Sequence, residues 1–437
     1  MLGKDRALQL LEETLSRSSA DQMEVLIITE GTSVTRFANS MIHQNIAESN
    51  AKVSIRSVIG KRIGSASTNR VEPEQVRAAA DRSLALARLQ TENADFVSLP
   101  KPQPLPSVRA FSLTTDGSTP EARAAIVEGI VTMGRQEKCA VSGVLSMESS
   151  EIIVGNSLGV RGYHPATTVM LNVIASDETS SGYAHWMGVD VSRLDHKAVA
   201  WTAIEKCILG RRPTTAEPGE YEVVLEPPAV ADLLSFLAYL GFGANAVQEG
   251  RSFMSGKLGS RITGEQISIW DDGQDARGIP LPFDFEGVPK QRVDLIKNGV
   301  ANAAVYDSYY AGKEGKQSTG HALPAPNTYG PIPINMFLGT GAASRDDLVR
   351  SVRRGLLVTR FHYTNIVQPK ETVITGMTRD GTFLIENGRL GAAVKNLRFT
   401  QSILEALDTA ELIGAEAVLA DRCVVPAIKL KRFTFTS

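Results

Sequence analysis

The chain is predicted to fold as an α+β protein, with an N-terminal α/β part in two subdomains followed by a C-terminal, mainly antiparallel β domain with packed helices. Strand-like and helix-like segments come in blocks rather than in strict alternation, which favours antiparallel sheets. Two proline-bearing stretches, "LPKPQPLPSV" at 99–108 and "RRPTTAEPGE" at 211–220, read as linkers. The 437 residues are enough for two to four domains, each with its own core. The expected bounds are 1–98, 109–212 and 218–437.

Residues 5–18 read as a helix through Leu8, Leu11 and Leu15, and "MEVLIITEG" as a strand that stops at Gly31. "TRFANSMIHQNIAE" and "AKVSIRSVIGKRIGSAST" alternate or carry β-branched runs and read as further strands. "EPEQVRAAADRSLALARLQ" is a helix with Pro73 in its first turn. Past the first linker, "TPEARAAIVEGIVTMGRQE" is a helix. Successive strands follow to about residue 176, with a turn at Gly155–Asn156, and a helix then ends at Gly210.

The C-terminal part opens with the strand "YEVVLE". The segment "VADLLSFLAYLGFGANAVQEG", Val230 to Gly250, reads as a helix that is apolar nearly all round. "QISIWDDG" is a strand, and "SRDDLVRSVRRG" a helix capped by Ser344. "ETVITGMTRDGTFLIENGRL" has a hairpin pattern with two glycine turns. "TQSILEALDTAELIG" reads as a helix ended by Gly414, and "RCVVPAIKLKRFTF" as closing strand.

Composition excludes some functions. The chain is 43% apolar and 22% charged with a net charge of −2, which argues against nucleic-acid binding by bulk electrostatics. Arg350, Arg353 and Arg354 read as a solvated helix face. Cys139, Cys207 and Cys423 are odd in number and far apart, so they form no disulfide framework and suit a reducing cytoplasm. Ala229–Val247 approaches membrane-spanning length but carries Asp232 and Asn245 without basic flanks, so no membrane span is expected.

Several stretches carry potential chemistry. "GFGANA", Gly241 to Ala246, matches a dinucleotide fingerprint as text, but the segment before it reads as helix rather than strand. "GKEGKQSTG", Gly312 to Gly320, misses the P-loop spacing, and no G-x-S-x-G elbow occurs. None of the six histidines forms a close pair of the kind that binds metal. His321, in the tight polar stretch "STGHA", is the histidine singled out. "FDFEG" sets Asp284 and Glu286 on one side of an extended segment. Such a pair can do acid–base work or bind a metal, or it can simply pair with Lys290 or Arg292.

Six pieces in order, "TRFANSMIHQ", "GNSLGVRGY", "GKLGSRITGEQISIWDDG", "PFDFEGVPKQRVDLIKNGV", "STGHA" and "GTFLIENGRL", together resemble the TldD/PmbA family across nearly the whole chain. Pro282 to Ala322 looks most like its PmbA (TldE) branch, with Phe285 a departure from the small or polar residue more usual there. The resemblance implies a proteolytic system in which a TldD-type zinc peptidase and a PmbA-type partner degrade unfolded or leader peptides. An older label, modulator of DNA gyrase, attaches to the same family.

In the TldD-type subunit a helix carries H-E-x-x-x-H, two zinc-binding histidines and a water-activating glutamate, with a cysteine near the C-terminus as a further ligand. Laying "LLSFLAYLGF" on that motif puts Ser235 at the first histidine, Phe236 at the glutamate and Leu240 at the second histidine. Cys423 lies near the expected cysteine and reads as a small buried residue. The expectation is a member with no metal, no other cofactor and no catalytic residues of its own. It would pair with a TldD-type subunit or with itself around a cavity lined by Ser235, Tyr239 and His321, where a peptide adds as an extra strand. The alternatives are a homodimeric peptide- or ligand-binding protein, or a hydrolase using His321 with Asp284 or Glu286.

Overall fold

The computed structural model describes residues 1–436 and contains two β-sheets. The N-terminal half runs α1 (Lys4–Ser16), β1 (Gln22–Ala38), β2 (Met41–Ile59), β3 (Arg62–Thr68), α2 (Pro73–Leu89), the short α3 (Leu113–Asp116), α4 (Pro120–Gln136), β4 (Ala140–Asn156), β5 (Arg161–Ser176), β6 (Ser181–Gly188) and α5 (His196–Leu209). Its strands form one antiparallel sheet in the order β3-β2-β1-β4-β5-β6. Asn39 and Ser40 hold φ of 49° and 60°, the left-handed pair that a tight β1–β2 hairpin needs. On one part of the sheet, Leu11 of α1 and Val76 of α2 pack over Val25 and Ile55. On another, Ile130 of α4 and Ile204 of α5 pack over Leu171.

Three sequence readings change here. β1 continues through Gly31, which pairs with Ser49 on one side and Ser149 on the other. The chain turns after Asn156 rather than at Gly155, because Gly155 still pairs with Val25 and Arg161. The two N-terminal segments share a single sheet, because β1 pairs β4 from Glu24↔Asn156 to Phe37↔Gly143.

The C-terminal half runs β7 (Gly219–Leu225), α6 (Pro227–Gly241), α7 (Ala244–Gln248), β8 (Ile269–Asp271), β9 (Val293–Lys297), β10 (Val300–Ala301), α8 (Ser308–Lys313), β11 (Met336–Leu338), α9 (Arg345–Arg350), β12 (Arg354–Gln368), β13 (Val373–Glu386), β14 (Arg389–Ala393), β15 (Arg398–Ser402), α10 (Ile403–Asp408), β16 (Ala410–Ala420) and β17 (Cys423–Phe435). Most pairings are antiparallel; β7–β12 and β11–β17 are parallel. β17, β15, β13, β12 and β7 close on themselves through the β17–β7 pairing, which leaves that ring without a free edge. Phe361, Phe399 and Phe433 pack together in the core with ring centroids 4.5–5.5 Å apart.

Asp380 and Gly381 have φ of 55° and 125° but stay inside β13 as an irregularity, so the hairpin turns only at Asn387–Gly388. The helix expected to end at Gly414 is only the short α10, capped by the Ser402 hydroxyl; β16 then runs straight through Gly414. Pairing along β17 outweighs the helical spacing of that segment.

Candidate functional site

The candidate site is built on α6. Pro227 starts this helix, where a missing N–H costs nothing. Leu233, Leu234, Leu237 and Leu240 bury its apolar face against the sheet core. At 15 residues it ends on Gly241, and no described helix is long and apolar enough to cross a membrane. "GFGANA" is a helix–helix corner. A Cβ at Gly241 would sit 2.6 Å from the Phe253 ring, and one at Gly243 would sit 2.3 Å from the Pro331 carbonyl oxygen. Close packing accounts for these glycines, and no strand feeds a phosphate loop.

On α6, the Ser235 hydroxyl lies 3.9 Å from the Cys423 thiol at the start of β17. Burial pushes that thiol up to about 12, against a lowering contact from Ser235, so it stays protonated. Phe236 packs against the main core and Leu240 is buried. A hydroxyl, a phenyl ring, an isobutyl group and a protonated thiol do not fit zinc, which takes thiolate, imidazole or carboxylate donors. Among the described residues no three His, Cys, Asp or Glu side chains are placed to hold a metal.

One helical turn on, Tyr239 is 57% exposed and lines an open cleft of about 710 Å³ with Leu240, Tyr329, Ile332 and Ile366. The Tyr239 and Tyr329 rings lie 6.2 Å apart, and Arg251 and Lys370 also line the cleft. Of the three expected cavity residues, only Tyr239 opens onto it.

His321 is buried elsewhere. Its Nε2 lies 2.8 Å from Asp271 Oδ1 and its Nδ1 2.9 Å from Thr319 Oγ1. Lys290 Nζ donates to the same Asp271 oxygen at 3.0 Å, and the Asn335 backbone N–H donates to the other at 2.7 Å. Burial alone would raise the Asp271 carboxyl, but Lys290 and His321 hold it well below the usual carboxylate range. Burial, helped by Lys290, lowers His321, which suits a neutral imidazole. The cluster knits β8, β11 and two loops, and every polar side-chain atom of His321 is already engaged.

Asp284 and Glu286 lie in a tight turn rather than an extended segment. Asp284 accepts the backbone N–H groups of Glu286, Val288 and Ala322. Glu286 pairs with Arg56 of the N-terminal sheet at 2.9 Å, and Arg56 also meets Glu24 at 2.7 Å. The expected partners are engaged elsewhere, Lys290 with Asp271 and Arg292 with Asp294. Neither acid meets His321, whose acid partner is Asp271, so the pairing of His321 with Asp284 or Glu286 that the hydrolase alternative needs is not assembled. Arg56, missed in the sequence, joins the two halves; a lone arginine in a strand pattern carries no local sign of a partner 230 residues away.

The PmbA/TldA metallopeptidase C-terminal domain matches residues 218–437, and domain 1 of the same family matches 24–87. An uncharacterised protein of Methanocaldococcus jannaschii is 30% identical over 51% of this chain, which spans about half (54%) of that protein. The TldD homologue of Haemophilus influenzae is 23% identical over 84% of the chain and 80% of its own length. The PmbA homologue of the same organism is also 23% identical, over 80% and 77%. The crystal structure of TldE from Thermococcus kodakarensis superposes with a TM-score of 0.88 at 22% identity, covering 99% of this chain and 100% of that one. The chain belongs to the TldD/PmbA metallopeptidase family.

Proposed function

We propose that the protein is the metal-free, PmbA-type subunit that partners a TldD-type zinc peptidase and helps enclose the peptide it degrades or processes. One observation carries this reading: Ser235, Phe236 and Leu240, the positions that the resemblance lays on the zinc ligands and base, supply none of them, and Ser235 lies 3.9 Å from Cys423. None of the six histidines is followed by glutamate, so no H-E-x-x-x-H occurs elsewhere in the chain. Two features suit a peptide-handling role. The Tyr239–Tyr329 cleft has apolar walls and exposed aromatic surface. The outer run of β2 also has an unpaired edge, because β3 covers β2 only from Val53 onward.

The test is co-purification of the tagged chain from its own host. The expected companion carries H-E-x-x-x-H, in equal amount. Recovery of the homodimer alone, with such a peptidase present in the same cells, defeats the reading and favours the second one, a homodimeric peptide-binding protein.

A further inference from the structure

Two of the three cysteines are in contact. Cys139 Sγ and Cys207 Sγ lie 3.6 Å apart although 68 residues separate them. Cys139 lies just before β4, after the turn at Lys138, and Cys207 sits in the last turn of α5. Both are buried in the same core. Packing alone would be served by any small apolar pair, but this one has a polar shell. Arg211 Nη2 approaches Cys139 Sγ at 3.8 Å, and Ser180 Oγ lies 3.4 Å from Cys207 Sγ. Arg211 is in turn paired with Asp177 at 2.7 Å.

The geometry points to a latent disulfide: Cys139 and Cys207 form an oxidisable dithiol whose closure fastens α5 to the root of β4. Moving from 3.6 Å to a bond of about 2.05 Å asks for side-chain rotation and a small backbone approach. The helix concerned joins the two halves of the protein. Lys206, next to Cys207, pairs at 2.5 Å with Glu226 of the C-terminal half, and Ser181 donates to Asp380 at 2.6 Å. Closure therefore braces the element on which the C-terminal half rests.

The chemistry is thiol–disulfide exchange with a low-molecular-weight disulfide. Cys139 Sγ, having given up its proton to solvent, attacks one sulfur of that disulfide, forms a mixed disulfide and releases one small thiolate. Cys207, deprotonated by the released thiolate, then attacks Cys139 Sγ and displaces the second. Two protein S–H bonds and one S–S bond are consumed, and one protein S–S bond and two small thiols are formed. Burial pushes Cys207 up to about 12, so the second step is slow and waits on local opening.

The experiment treats the full chain, under native conditions, with oxidised glutathione, then counts free thiols after denaturation and maps the peptides. Free thiols should fall from three to one, with Cys139 linked to Cys207 and Cys423 still free. The melting temperature should rise by roughly 5 °C and return to its starting value with reductant. The mapping is done on unaltered protein, so it does not depend on a variant folding. Cys423→Ser should oxidise in the same way, and Cys207→Ser should retain Cys139 as a glutathione adduct. Three free thiols after prolonged exposure, or a glutathione adduct that never closes in the unaltered chain, overturns the proposal.

Discussion

Ser235 Oγ and Cys423 Sγ lie 3.9 Å apart, one on a helix and the other on the closing strand, 188 positions apart in the chain. The family resemblance lays Ser235 on a zinc-ligand position and sets Cys423 near another. Their contact is what the proposed register requires, in which Phe236 would stand at the catalytic glutamate and Leu240 at the second histidine.

The first prediction follows from that register. The unaltered chain, incubated with zinc and passed through a desalting column, should retain well under about 0.1 ion per chain, because a protonated thiol and a hydroxyl hold zinc poorly. Ser235→His, Phe236→Glu and Leu240→His together, with Cys423 kept, should raise retention to about one per chain. Metal analysis reads the result, with circular dichroism to show that the triple variant is folded. A folded variant that retains no more zinc than its parent would remove the structural basis of the proposed function.

The fold class could be read from the sequence because block order and turn chemistry are local. Pro73, Ser344 and the Asn387–Gly388 turn each act within a few residues, and each stands where its local pattern places it. Non-local features escaped. Gly31 looks like a stop but is held in β1 by a partner strand on either side. The segment from Thr400 to Gly414 has helical spacing, yet only Ile403–Asp408 is helix: its first residues pair with β13, and from Ala410 it is drawn into strand by β17. At the candidate site, Tyr239 was legible as a cleft-lining residue because it is a large side chain on the exposed face of α6. The role of His321 was not legible, because it depends on Asp271 and Lys290, 50 and 31 positions away by number.

Lys290→Met should be severely destabilising. Lys290 and Asp271 are buried, and removing the ammonium leaves a charged carboxylate supported only by a neutral imidazole and one backbone N–H. Breaking such a pair costs about 3–5 kcal/mol. Urea unfolding should show that loss, whereas Arg345→Ala, at an exposed arginine paired with Glu226, should cost under about 1 kcal/mol. Equal effects of the two changes would mean that the Asp271 cluster carries no special weight.

Arg56→Met should weaken the contact between the two halves. Arg56 is the cation paired with Glu24 and Glu286, which face each other from the N-terminal sheet and the C-terminal turn. Without it two buried acids lose their counter-charge, at a cost of about 3–5 kcal/mol. Limited proteolysis should then cut faster in the segment 211–218 between the halves. Unchanged cleavage there, with overall stability also unchanged, would show that Arg56 does not join them.

The same acids make stability depend on pH. Burial, then the neighbouring Glu286 charge, pushes Asp284 up to about 8 and Asp307 up to about 7; burial also pushes Glu24 up to about 6, partly offset by Arg56. Raised folded values mean that these groups stabilise below their unfolded pKa near 4 and that the contribution is lost as pH rises through the folded values. Lowered histidines act in the opposite direction, His164 to about 4 and His321 by burial, but only below about 6.5, where unfolded imidazoles take up protons. Between pH 6.5 and 8.5 the acids dominate, and unfolding free energy should fall by about 2 kcal/mol. Asp307→Asn should lessen that fall by about 1 kcal/mol, because asparagine keeps the cap on α8 without the ionisation. Urea midpoints measured across this range decide it. A flat profile, or a fall that Asp307→Asn leaves untouched, would mean that Asp307 is already ionised at neutral pH and that the Arg56 charge is shared among more acids than its two direct partners.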